Sequence, residues 1–119
     1  MKYAMLVYSD QSSWDSYSAE ESAQMRAESM PRWISLFEEM GKADPNATGK
    51  ELAASSEAKV VRVVDGQTIV TDGPFAETKE QLGGVFIAEL TDLDAAIRLA
   101  ALVPAADYGT LEIRPLATR

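Results

Sequence analysis

Apolar positions open the chain as a run over residues 3–8, occupying both alternations of an extended segment. Such a run predicts a strand buried on both faces. It is shorter than the roughly 7–15 apolar residues of a secretory signal and has no small-residue cleavage site after it. A polar stretch, 9–17, follows as a loop containing Trp14. Ser18-Ala19-Glu20-Glu21 then fits a capping box, in which the Ser18 hydroxyl and the Glu21 carboxylate each accept from the other's backbone amide. Met30, Trp33, Ile34, Phe37 and Met40 recur at the spacing of an amphipathic helix, and Gly41 marks its stop. Pro31 lacks the N–H that would reach the Ala27 carbonyl, so a kink is expected, or two helices meeting near Met30.

Residues 42–50 hold Asp44-Pro45-Asn46 and Gly49 and read as a connection. Two β-branched runs, 59–64 and 67–71, flank Asp65-Gly66, a strong hairpin signal. A two-residue turn pairs Val64 with Gln67, Val63 with Thr68 and Val61 with Val70. One hairpin face then carries Val61, Val63 and Val70, and the other carries Val60 and Ile69 beside Arg62. Both are partly apolar, so both are expected to meet protein. After a loop at 72–84, an apolar strand runs over 85–90. A second helix opens at Thr91 or Asp92, carries Leu93, Ala96, Ile97 and Ala100 inward, and ends before Pro104. The last strand, 111–116, sets Leu111 and Ile113 against Glu112 and Arg114, which is the pattern of one wet face.

The order is strand, helix, strand, strand, strand, helix, strand. It predicts one α+β domain over residues 1–119, a split βαβ arrangement with an antiparallel sheet and both helices on one face. Two helices cover only one face of the sheet, yet several strands are apolar on both. A homodimer that covers the second face resolves the mismatch.

Charge and composition narrow the chemistry. Nineteen acidic residues against eleven basic ones give a net charge of −8. Such a chain repels phosphate backbones, so nucleic acid is not an expected partner. No stretch is apolar enough to span a membrane. The chain has no cysteine, which excludes disulfides and thiol chemistry and suits a reducing cytoplasm. It also has no histidine. The usual general base near neutral pH is therefore missing, with the commonest zinc and iron ligands. No cofactor is expected, and any catalysis must use Asp, Glu, Lys, Tyr, Ser or Thr.

The most distinctive segment runs from Thr71 to Gly84, with Asp72-Gly73-Pro74-Phe75 at its start. Asp72 can organise an Asx-turn, Gly73 permits unusual backbone angles, and Pro74 fixes its own φ. Phe75 becomes a rigid apolar plug. Gly83-Gly84 lets the backbone bend into the next strand. Together with the hairpin before it, Leu93-Asp94-Ala95-Ala96 and Glu112-Ile113-Arg114-Pro115 after it, and the opening strand, this segment resembles the DGPF-domain family, a branch of the YCII-related proteins. The resemblance covers nearly the whole chain. It implies a ferredoxin-like fold that pairs as a dimeric α/β barrel. It also implies small partner proteins found in the genomic company of extracytoplasmic-function sigma factors, which points to regulation. Members outside this branch look like enzymes with a His and Asp pair, which this histidine-free chain cannot carry. Pro31 and residues 42–50 depart from the family's pattern.

Two readings of function follow. The first is a ligand-sensing or regulatory interaction module, with a small molecule or a regulatory protein as partner. Its pocket is expected among Tyr3, Tyr8, Asp72, Gly73, Pro74, Phe75 and Glu77. The alternative is a cofactor-free enzyme acting on a small, fairly apolar compound. Asp72 would serve it as general acid or base, with Tyr hydroxyls and loop amides stabilising charge. Asp72, Glu77 and Glu80 are hard-metal ligand types, but their spacing matches no metal motif, so no metal is expected.

Overall fold

The long helix begins where the capping box places it. In the computed structural model, which describes residues 1–118, the Ser18 hydroxyl accepts from the Glu21 amide at 3.1 Å and the Glu21 carboxylate accepts from the Ser18 amide at 3.3 Å. Helix α1 (Ala19–Ala43) then runs as one element through Pro31, so the expected division into two helices near Met30 is not found. Proline removes one rung of the ladder. Here the residues just beyond it, Arg32, Trp33 and Leu36, are anchored to the rest of the fold, and Pro31 itself is exposed.

The other elements are β1 (Lys2–Ser9), β2 (Thr48–Glu51), β3 (Lys59–Val64), β4 (Gln67–Asp72), β5 (Gln81–Glu89), α2 (Leu93–Leu102) and β6 (Thr110–Pro115). The polar stretch after β1 is a 3-10 turn over Gln11–Ser16, with others at Ser55–Glu57 and Pro104–Asp107. Four strands form an antiparallel sheet in the order β2-β5-β1-β6. With α1 and α2 on one face, this is the ferredoxin-like α+β arrangement. Strand β2 falls in the segment read as a connection. Its residues are polar and exposed, and it holds its place by pairing with β5 from Thr48↔Ile87 to Glu51↔Gly84. Gly49 is required there, since a Cβ would lie 2.5 Å from Cδ1 of Phe86.

The hairpin has the expected register, Val64↔Gln67, Val63↔Thr68 and Val61↔Val70. Asp65 (φ 50°) and Gly66 (φ 79°) both take positive φ, as its two-residue turn demands. It does not join the main sheet. It is a separate two-stranded sheet inserted between β2 and β5. Its valines, expected to meet protein on both faces, are exposed within the chain except for half-buried Val60.

The core lies between the sheet and the helices. Tyr3, Met5 and Val7 of β1, Phe86 and Ala88 of β5, Leu36 and Met40 of α1, and Ala96, Leu99 and Ala100 of α2 pack together. Both helices are rotated from the faces their spacing suggested. On α1, Trp33, Leu36 and Met40 turn inward while Met30, Ile34 and Phe37 stay about half exposed. On α2, Ala96 and Ala100 are buried as expected and Leu99 joins them, while Leu93 and Ile97 are exposed. In each helix the apolar set is wider than one stripe, and sheet packing decided which part was covered.

Cross-strand partners share a face, so the sheet's second face carries Ala4, Leu6, Val85 and Ile87 at its centre. Lys2 and Glu89 border it at one end, with Glu112 and Arg114 along β6. Strand β5 starts four residues earlier than expected, and a bulge between Val7 and Tyr8 leaves Gly83 as the extra residue.

Candidate functional site

Three loops meet at the end of the sheet where β1 leaves and β5 enters. The first follows β1, the second links β2 to β3, and the third carries the distinctive segment from β4 to β5. Hydrogen bonds fix them to one another. The Ser55 amide donates to Oε1 of Gln11 at 2.8 Å, joining the first two. Nε2 of Gln81 donates to the carbonyls of Ala76 (2.9 Å) and Thr78 (2.7 Å), which shapes the third. The Thr110 hydroxyl donates to Oε2 of Glu80 at 2.7 Å and ties that loop to β6.

Between them lies an open groove of about 440 Å³ whose walls include Asp10, Gln11, Ser55, Pro74, Glu77 and Lys79. Hydroxyl, amide and carboxylate side chains and one ammonium line it together with Ala54 and Pro74. Asp10 accepts from the Ser12 hydroxyl at 2.6 Å and the Ser12 amide at 3.1 Å. The Ser12 hydroxyl is the main cause holding the Asp10 carboxyl below the usual carboxylate range, and the nearby Lys79 charge acts in the same direction. Asp10 is thus an anion held by Ser12, with the Lys79 ammonium lining the same groove. Such a site can bind a small polar molecule by hydrogen bonds and charge.

A second hollow, about 370 Å³, sits at the opposite end of the sheet beside Lys2, Asp44 and Glu89. Its carboxylates are already engaged. Asp44 accepts from the amides of Glu89 (2.8 Å) and Asn46 (2.9 Å), and Glu89 pairs with the N-terminal ammonium at 2.8 Å.

The structure divides the residues singled out from the sequence. Pro74 and Glu77 line the groove. Tyr3 is 5 % exposed beneath the helices. Tyr8 lies on the other face of the sheet, where its hydroxyl donates to Glu112 at 3.4 Å. Asp72 ends β4 with its side chain 84 % exposed and paired with Lys59 across the hairpin. That pairing takes the place of the Asx-turn, whose usual donor two residues on is here Pro74, which has no N–H. Gly73 donates to the Ala58 carbonyl at 2.8 Å, and its bond to Pro74 is cis. Phe75 is 76 % exposed, with the Arg62 guanidinium 5.4 Å from its ring centre. A single chain therefore does not bring Asp72 and Phe75 together with Tyr3 and Tyr8. Sequence reasoning missed Asp10, Gln11, Ser55 and Lys79. The only local signal was Asp10-Gln11-Ser12, the cap of a 3-10 turn.

A split βαβ domain with one open sheet face and a polar groove at the sheet's end defines the general class. Comparison with known proteins supplies the family. The YCII-related domain matches residues 1–118, and the chain belongs to that family. It is also 38 % identical, over 119 residues, to an uncharacterised protein of Rhizobium meliloti (strain 1021), a match covering 98 % of this chain and 93 % of that one. Among the described residues, no helix is long and apolar enough to cross a membrane.

Proposed function

We propose that this chain is a homodimeric binding module of the DGPF branch, ligand-sensing or regulatory, whose small-molecule site is the groove beneath Pro74. One observation carries the reading. Asp10, Gln11, Thr78 and Gln81 in the groove lining are fixed by hydrogen bonds within the loops, whereas Asp72, the best acid–base candidate, stands in solvent against Lys59. A general acid or base works from a site that confines the group it protonates or deprotonates, and within one chain Asp72 lies in solvent. The Asp72-Gly73-Pro74-Phe75 segment supports the branch. The apolar centre of the sheet's second face, where Leu6, Val85 and Ile87 are only half-buried, supports a dimer. The lack of cysteine fits the cytoplasm as its compartment.

A thermal-shift screen of polar metabolites tests this with wild type, Lys79→Ala and Asp72→Asn. A ligand present at about 100 times its dissociation constant adds roughly 2.7 kcal/mol. For a chain of this length that raises the midpoint by about 10 °C. A ligand whose shift disappears in Lys79→Ala and persists in Asp72→Asn supports the groove. Loss in Asp72→Asn alone moves the site to the hairpin base and restores the enzyme reading. If no ligand shifts the wild type, the small-molecule site is wrong and co-purification of a regulatory protein becomes the test of the module.

A further inference from the structure

Among the described residues, the hairpin carries the most exposed valines. Val61, Val63 and Val70 share a face and are 61 %, 69 % and 59 % exposed. A two-stranded hairpin alone is marginal in water, and β-branched residues reach their strand preference by packing against neighbours. The hairpin also stands away from the body. The radius of gyration is 16.5 Å, against roughly 13–14 Å for a compact chain of this length.

We propose that this hairpin is an arm, laid by each protomer on a second copy of the chain, with Val61, Val63 and Val70 as its contact face. Charge favours that occupant. In the hairpin Lys59 and Arg62 cancel Asp65 and Asp72, so the net −8 lies wholly on the rest of the chain. Two acidic bodies repel, and the neutral arm is where they can meet. Size favours it too. Three valines are far less than the roughly 800 Å² per side of a specific interface. A two-fold arrangement makes the contact twice and joins it to the open sheet face, which a foreign partner would not do. The distinctive loop follows directly from β4, so an arm seated on a second copy places Asp72 and Phe75 at the seam between protomers. This inference rests on the dimer reading above.

Light scattering after gel filtration, with the Val61→Lys/Val63→Lys double variant, tests it. Both positions are solvent-facing in one chain, so far-UV circular dichroism should match wild type. Wild type is expected at twice 12.9 kDa. The double variant is expected near 12.9 kDa, its dimer dissociation constant raised about thirtyfold or more. Should it fail to fold, Val63→Thr, of nearly the same shape, takes its place. A spin label at Val63→Cys, the sole thiol in a cysteine-free chain, should be immobilised at high concentration and mobile on dilution. A dimer that tolerates the lysines and leaves the label mobile overturns the arm while keeping the dimer. A wild type that stays at 12.9 kDa at every concentration overturns both.

Discussion

Leu36 and Phe37 are neighbours on α1, and the spacing of apolar residues favoured Phe37 for the core. The structure chose Leu36, which is fully buried, and left Phe37 51 % exposed. Replacing each with alanine tests that rotation. Leu36→Ala removes a buried side chain and leaves a cavity, at a cost of about 2.7–5 kcal/mol in comparable cores. The unfolding entropy of a chain this long is roughly 0.25 kcal/mol/K, so the midpoint should fall by about 11–20 °C. Phe37 stacks on Trp33 with ring centres 5.9 Å apart and planes 25° apart. Losing an aromatic pair and a half-covered ring costs about 1–2 kcal/mol, or roughly 4–8 °C. Both variants are compared with wild type by calorimetry at one protein concentration and again at a tenfold dilution, so that any contribution from association shows as a concentration dependence. Leu36→Met, which conserves volume, should fall by less than about 6 °C. If Phe37→Ala is as damaging as Leu36→Ala at both concentrations, α1 is turned by about 100° from the orientation described here and the reasoning fails.

Two further outcomes follow from polar contacts that join distant segments. Asp44 caps α1 and accepts from the Glu89 and Asn46 amides, chiefly that of Glu89, which lowers its pKa below the ordinary 3.8. A carboxyl whose folded-state pKa is depressed contributes stability that is fully present above its unfolded value and lost as pH falls through the folded one. Wild type should therefore lose stability below pH 3.8, and Asp44→Asn should be less stable near neutrality with a shallower acid limb in urea titrations. An identical acid limb in the two proteins would show that Asp44 is not held as described. Arg32 donates to the carbonyls of Leu102 (3.0 Å) and Ala101 (2.9 Å) at the end of α2 and pairs with Asp107. Arg32→Gln should speed amide exchange over the last turn of α2 before it changes exchange in β1, and uniform acceleration across the chain would refute a local clasp.

Much of the local structure was legible in the residues themselves. Ser18 and Glu21 satisfy each other three residues apart, so no tertiary contact was needed to foresee the start of α1. Asp65-Gly66 fixed the hairpin register for the same reason, since the turn requires positive φ at both positions and the pairing follows by counting. The first strand was written in its apolar run, and the one wet face of the last strand in its alternation.

Where those pieces went was decided by the tertiary structure. Strand β2 has no periodic signal, because its polar residues are held only by backbone bonds to β5. The hairpin's valines read as buried, since a sequence shows that a side chain is apolar but not what will cover it. The faces of α1 and α2 turned on which apolar residues met the sheet, a choice among near-equal stripes that helical spacing leaves open. The groove was invisible for a stronger reason. Gln11 and Ser55 are 44 positions apart, and the loop holding Pro74, Glu77 and Lys79 comes later still. Such a site exists only when folding brings three short polar loops, each ordinary on its own, to the same end of one sheet.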